Sequence, residues 1–226
     1  EISIHGGTHN PMAPTADFIE QCFLPTLQKL GIQVDFECER AGFFPIGAGQ
    51  INVTIHPWTE KSKLSILQRG KLIETSAYAS TLNIPVTIAD RELEVLNNQF
   101  DLSTRKSLNF KGISQGNTAF VVVNFEHHQQ VFSTLGEMKK SAEKVAQDLA
   151  KDVKTYLKTD TVADEYLTDQ LLLPLALGQG GEFTAQVLSE HTKTQAEMIQ
   201  KFLDCEISFK EVDNIFQVNV RVSHLT

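Results

Sequence analysis

The sequence predicts an α+β protein: a domain of repeated helix–strand units, interrupted by a smaller α/β block. Three observations carry this. Strictly alternating apolar and polar stretches stand near both ends of the chain, "IQVDFECER" at 32–40 and the pair "CEISFKEV" and "IFQVNVRV" at 205–222. A stretch of helical spacing precedes each of them. Between 63 and 158 the text changes character, with a continuous apolar run and a long charged helix.

The elements follow in order. The first residues, "EISIHGG", read as a strand running into a loop; without a Met at the start, the expectation is that the natural N-terminus lies outside them. In 15–30, Phe18, Cys22, Phe23, Leu27 and Leu30 keep helical spacing. Thr15 is a plausible N-cap, Asp17 complements the helix dipole, Gly31 stops the helix, and Pro25 should kink it or begin a new turn. In 32–40, Ile32, Val34, Phe36 and Cys38 share one face of a half-buried strand. "AGFFPIGAG" is a glycine-rich turn into the next strand, "INVTIHP".

The C-terminal end repeats this grammar. "TQAEMIQKFL" reads as a helix, "CEISFKEV" as a strand, "DN" as a turn and "IFQVNVRV" as a second strand. The two copies share architecture and not sequence. Between them, "PVTIADRELEVLNNQ" and a helix over about 137–158 flank the apolar strand "TAFVVVNF". In the long helix Val145, Leu149, Val153 and Leu157 recur every four residues, with Lys and Glu on the solvated faces. "TVADEYLTDQLLLPLALG" returns to the main core and ends at Gly178. The division read from the sequence is therefore 1–62 with 159–226 as the repeat domain and 63–158 as the insert, "LSILQRGKLI" straddling the boundary.

Composition narrows the function. A chain of 226 residues with 41% hydrophobic content can bury one large core or two modest ones. A formal charge of −8 argues against wholesale electrostatic binding to nucleic acid, so any RNA contact must be a local basic cleft in which Arg40, Lys193 or Lys201 could take part. No apolar run approaches the length of a membrane span. Cys22, Cys38 and Cys205 are scattered, the pattern of small buried side chains in a reduced, cytoplasmic protein.

Three stretches could carry chemistry. His191, in "SEHTKT", stands at the mouth of a helix that Thr192 or Thr194 could cap. A helix's positive end disfavours imidazolium and offers N–H groups to phosphate, which suits a histidine nucleophile; the plainer reading is a surface or capping histidine. In "DEYLTDQ", Tyr166 and Gln170 share a helical face, where a tyrosine can stack on a base and Asp169 or Gln170 can bond a purine, a ribose or a metal. The plainer reading is an ordinary helix start capped by Asp164. "HGGTHNPMAPTADF" could cradle phosphate with backbone N–H groups but is no P-loop. His5 and His9 lie four apart with no third ligand nearby, so they do not read as a zinc site.

Taken in order, "HGGTHNPMAPTADF", "GFFPIGAGQ", "RGKL" with "ADRELEVL", "DEYLTDQLLLPLAL" with "GGEFT", and "SEHTKT" resemble the RNA 3′-terminal phosphate cyclase family. The resemblance covers essentially the whole chain. It implies a fold of helix–sheet repeats with a smaller α/β insert. It implies use of ATP and a divalent metal, magnesium or manganese, to turn an RNA 3′-phosphate into a 2′,3′-cyclic phosphate through a covalent histidine–AMP. The family's nucleophile falls on His191. Its nucleotide-binding stretch falls on Tyr166, Leu167, Thr168, Asp169 and Gln170, and a proline that packs on the base falls near Pro14. The metal ligands are not indicated. Family members also carry a segment before the HGGT loop, with arginines that help bind phosphates and RNA, and these residues do not include it. The alternative is a catalytically inactive relative acting in ribosome assembly or RNA processing; such relatives lack the nucleophilic histidine, and the intact "EHT" argues against it. An enolpyruvyl-transferring synthase shares the repeat architecture but not the insert.

Overall fold

A computed structural model describes residues 1–223 and contains both helices and sheets, an α+β fold. The chain opens with β1 (Ile2–Gly6). Thr15 then caps a helix, its Oγ1 accepting the Phe18 N–H at 3.4 Å. That helix is α over Ala16–Phe18 (α1), widens to a π turn over Ile19–Phe23, and resumes as α2 over Leu24–Gln28. Pro25 is the reason. It has no N–H to give the Gln21 carbonyl and its ring would press on it. The wide turn relieves this, and Gln129 donates to the freed Gln21 carbonyl at 2.7 Å. Gly31, at φ +86°, ends the turn where a Cβ would lie 1.9 Å from the Glu60 carbonyl.

β2 (Val34–Arg40) and β3 (Gly49–Ile55) follow, and the first sheet runs β1-β3-β2, antiparallel throughout. β4 (Leu64–Ile66) is short. β5 (Leu72–Leu82), α3 (Thr87–Asn97), β6 (Thr104–Phe110), β7 (Gly116–Phe125), β8 (Gln129–Leu135) and α4 (Ala142–Leu157) form a second unit with strand order β6-β5-β7-β8. α4 begins five residues later than periodicity suggested, because Ser141 caps it through the Lys144 N–H. α5 (Glu165–Leu177), β9 (Gly181–Ala185), α6 (Glu190–Phe202), β10 (Cys205–Val212) and β11 (Ile215–Val222) complete the chain. Asp213 and Asn214 both take positive φ, the hairpin turn that suits an Asp-Asn pair.

The last sheet runs β10-β11-β9-β4, and β4 pairs in parallel with β9. That pairing ties Leu64–Ile66 to the repeat domain rather than to the block beginning at 63. We therefore propose a division in which the insert starts after Ile66.

Two cores result. One gathers Phe18, Cys22 and Leu30 with Leu171, Leu172, Phe183 and Val218. The other packs α3 and α4 on the β5–β7 sheet through Leu93, Leu96, Leu149, Val153 and Tyr156. β7 serves both: Phe120 and Val122 belong to the first core, Ala119, Val121 and Val123 to the second. This explains its unbroken apolar text, since a strand covered on both faces has no polar side. Arg69, near the start of the insert, braces the end of α4 from within the same unit. Its guanidinium lies over Phe125 and Tyr156 and donates to the Tyr156 and Leu157 carbonyls at the end of α4.

Candidate active site

A cleft of about 1330 Å³ separates the HGGT loop and the start of α5 from the insert. Its first wall is stitched from two loops. The Thr8 and His9 N–H groups donate to the Gly42 carbonyl at 2.9 and 3.1 Å, and the Gly42 N–H donates to Thr8 Oγ1. His9 is buried there, with Nδ1 2.7 Å from Thr8 Oγ1, Nε2 3.0 Å from Asp17 Oδ2, and its ring stacked on Phe43. Both ring nitrogens are engaged, so His9 holds the loop in place. Pro14 and Phe18 line the cleft, as does Tyr166, which meets Phe18 edge-on at 6.4 Å. Tyr166 is 42% exposed, and burial pushes its phenol up. Pro14 and the two rings make this part of the cleft wall apolar, with Tyr166 the exposed ring among them.

The helix α5 sorts the five residues of the expected nucleotide stretch. Tyr166, Asp169 and Gln170 lie on the outer face, while Leu167 and Thr168 are fully buried. Leu167 belongs to the main core, and Thr168 Oγ1 donates to the Asp164 carbonyl at 2.5 Å. Helical periodicity dictates this: Leu167 and Thr168 share the inner face with Leu171, Leu172 and Leu175. Their side chains do not reach the cleft. Asp164 caps the helix, accepting the Leu167 N–H at 2.8 Å. It lines the cleft but is buried, and desolvation pushes its carboxyl up to about 7.

His191 is exposed, in the first turn of α6. The cap is Ser189, not Thr192 or Thr194. Ser189 Oγ accepts the Thr192 N–H at 3.1 Å and Ser189 O accepts the Lys193 N–H at 3.1 Å. Thr192 is buried instead, beside the Ser189 hydroxyl. The earlier first-turn amides, of Glu190 and His191, point out from the helix end. His191 does not line the cleft. The link runs along α5: one turn beyond Tyr166, Asp169 faces the Gln195 amide, and with that amide turned so that its nitrogen meets the carboxylate it donates to Asp169 Oδ1 at 2.6 Å. Burial raises the Asp169 carboxyl while His191 opposes that rise. One helix face thus leads from the cleft to the histidine.

The expected cations are not gathered. Lys193 pairs with Glu190 at 2.7 Å, Arg40 donates to the Ala48 carbonyl, and Lys201 lies in the last turn of α6. The cleft's own cations are Arg91 and Lys140, each held by carboxylates, Glu143 for the first and Glu137 and Asp148 for the second. Sequence reasoning missed this insert wall. Glu92 also belongs to it: fully buried, it accepts the Asn117 amide at 2.6 Å, and burial pushes its carboxyl to about 7. A signal existed, because Glu92 falls on the inward face of α3 with Ala89, Leu93 and Leu96. Among the described residues no group of three or more His, Cys, Asp or Glu is placed to hold a metal ion. No described helix is long and apolar enough to cross a membrane.

A sequence model of the RNA 3′-terminal phosphate cyclase family matches residues 1–209. An RNA 3′-terminal phosphate cyclase of Koribacter versatilis is 36% identical over 220 residues, covering 96% of this chain and 62% of the relative. One from Pseudomonas fluorescens is 34% identical over 221 residues, covering 96% and 64%. The chain belongs to the RNA 3′-terminal phosphate cyclase family. It spans 62–64% of the length of the curated relatives it matches.

Proposed function

We propose that the intact protein converts an RNA 3′-terminal phosphate into a 2′,3′-cyclic phosphate at the expense of ATP, with His191 as nucleophile. The observation that carries this is the family membership, joined to an exposed histidine in the first turn of a capped helix that packs against α5. Tyr166 and Pro14 hold the adenine, and Asp169 and Gln170 lie next along α5 for the ribose. The amides at the start of α6 and the helix dipole meet the phosphates.

The chemistry then runs in three displacements. A His191 ring nitrogen attacks the α-phosphorus of ATP; the P–N bond forms as the bond to pyrophosphate breaks. An oxygen of the RNA 3′-phosphate next displaces the histidine from that phosphorus, giving an RNA–adenylate anhydride. The neighbouring 2′-OH attacks the RNA phosphorus, AMP leaves and the 2′-proton is lost to solvent. The last step is favoured because both reacting groups sit on one ribose. Magnesium or manganese would enter with the nucleotide, neutralising charge on its phosphates. RNA with a 3′-phosphate end is the acceptor, and the cytoplasm, with its reduced thiols, is the compartment that suits three free cysteines.

The test is labelling of the intact protein with α-labelled ATP and a divalent metal. We expect an acid-labile, alkali-stable adduct that is absent from His191→Ala. An adduct that persists in His191→Ala refutes the assignment. A folded intact protein that takes no label favours the inactive-relative reading.

A further inference from the structure

Nothing in that chemistry uses the end of the cleft that the insert builds. The loop between β2 and β3 is pinned there. The Phe43 N–H donates to Ser114 Oγ at 2.9 Å, and the buried Phe43 ring fills the space beside Gly116, where a Cβ would lie 2.5 Å from it. The other side of the loop is held by the stacking of the same ring on His9. A loop fixed from both sides gives Phe44 a firm seat, yet its side chain is 68% exposed at the cleft. Met138, between β8 and α4, is 93% exposed at the same cleft.

One residue past Gly116, Asn117 supplies a polar floor. Its Nδ2 donates to Glu92 Oε1 at 2.6 Å, which fixes the direction of the amide. Its Oδ1 takes the room that Gly136 leaves, since a Cβ there would lie 1.8 Å from it. Glu92 lines the cleft, is 0% exposed, and its Oε2 has no hydrogen-bond partner among the described residues. A buried acceptor left unmet is costly, so the pair is suited to a ligand that brings N–H groups. A phosphate does not fit. Both cations of this wall are already taken, Arg91 by Glu143 at 2.7 and 2.8 Å and Lys140 by Glu137 and Asp148, and the floor itself presents acceptors. The cleft has space for more than one ligand, because 1330 Å³ exceeds the roughly 300–1,000 Å³ of a single small-molecule site.

We propose that this end of the cleft takes the base of the RNA's 3′-terminal nucleotide, with its face on Phe44 and its N–H edge toward Asn117 and Glu92, a reading that rests on the cyclase function proposed above for the identity of the ligand. An exposed aromatic ring on a rigid loop is a stacking platform for any base. The protein therefore selects unpaired 3′ ends. In a duplex the edge is already paired and the face already stacked, so a paired terminus has neither to offer.

Fluorescence anisotropy on the intact protein tests this with a 3′-phosphorylated single-stranded RNA, the same strand lacking its 3′-terminal base, and the same strand in a blunt duplex. The complete single strand should bind about tenfold tighter than either of the others. Phe44→Ala, at an exposed position that the fold does not need, should weaken the complete strand by about the same factor and leave the abasic strand nearly unchanged, because ring and base belong to one contact. Asn117→Ala should behave alike. Equal affinity for the complete and abasic strands overturns the proposal, and so does a Phe44→Ala variant that weakens both strands equally. Labelling by ATP is read separately. A protein that takes the label on His191 and ignores the terminal base refutes this subsite and keeps the cyclase reading. One that discriminates the base and takes no label keeps the subsite and refutes catalysis.

Discussion

Replacing Asp164 by Asn should make the protein more stable at neutral and alkaline pH and leave it nearly unchanged in acid. Asp164 caps α5 with its Oδ1 2.8 Å from the Leu167 nitrogen, and the side chain is buried beneath the cleft. Desolvation moves its carboxyl from the usual 3.8 to about 7. The unfolded chain ionises this group near 3.8, whereas the folded protein keeps the proton almost to neutrality. The folded form therefore binds the extra proton in that window. Its stabilising contribution is complete below about pH 4 and is lost as the pH rises through about 7. At about 1.4 kcal/mol per tenfold, the whole loss is about 4 kcal/mol. Asn keeps an oxygen for the cap and cannot ionise. Urea unfolding of wild type and Asp164→Asn at intervals from about pH 4 to about pH 8 measures the difference directly. The two should agree at the acid end and separate by up to about 4 kcal/mol at the other. A difference that does not change with pH would refute the reasoning, because the carboxyl would then ionise in the folded protein at no cost.

Two further outcomes follow from the packing and the caps. Phe183→Ala removes a fully buried ring from the main core and should cost about 3–5 kcal/mol in denaturant unfolding, well above any surface substitution. Ser189→Ala removes the acceptor of the Thr192 N–H and should cost about 1 kcal/mol; it should also slow labelling of His191 by ATP without abolishing it, as a rapid-quench time course would show.

Much of the fold could be read from local pattern, because the pattern is what burial demands. "CEISFKEV", "DN" and "IFQVNVRV" became β10, its turn and β11 at the residues expected, since strict alternation and an Asp-Asn pair leave a hairpin little choice. Thr15 and Pro25 acted as their chemistry requires. What alternation could not carry was pairing between distant segments. Leu64–Ile66 is three residues long, too short for a period, and only its parallel bonds to β9 assign it. At the site, the helical face placed Tyr166 outward, and the same periodicity should have turned Leu167 and Thr168 inward at once. The cap of α6 was missed by a few residues because Ser189, Thr192 and Thr194 all suit the role, and backbone geometry chose among them. The insert wall of the cleft, with Arg91, Glu92 and Asn117, is assembled by tertiary packing alone.

The way β7 is shared limits how the cleft can move. Val121 and Val123 are held by one core while Phe120 and Val122, their immediate neighbours, are held by the other. Swinging the insert away from the repeat domain would expose one of these two sets to water, at about 1.5–3 kcal/mol for each large side chain. The two units are therefore welded along a strand rather than joined at a hinge. Molecules must enter and leave past the rim, where Met12, Phe44 and Met138 stand exposed at the tips of three loops. Turnover that is limited by product release should then respond to substitutions in those loops and be indifferent to changes between the two cores.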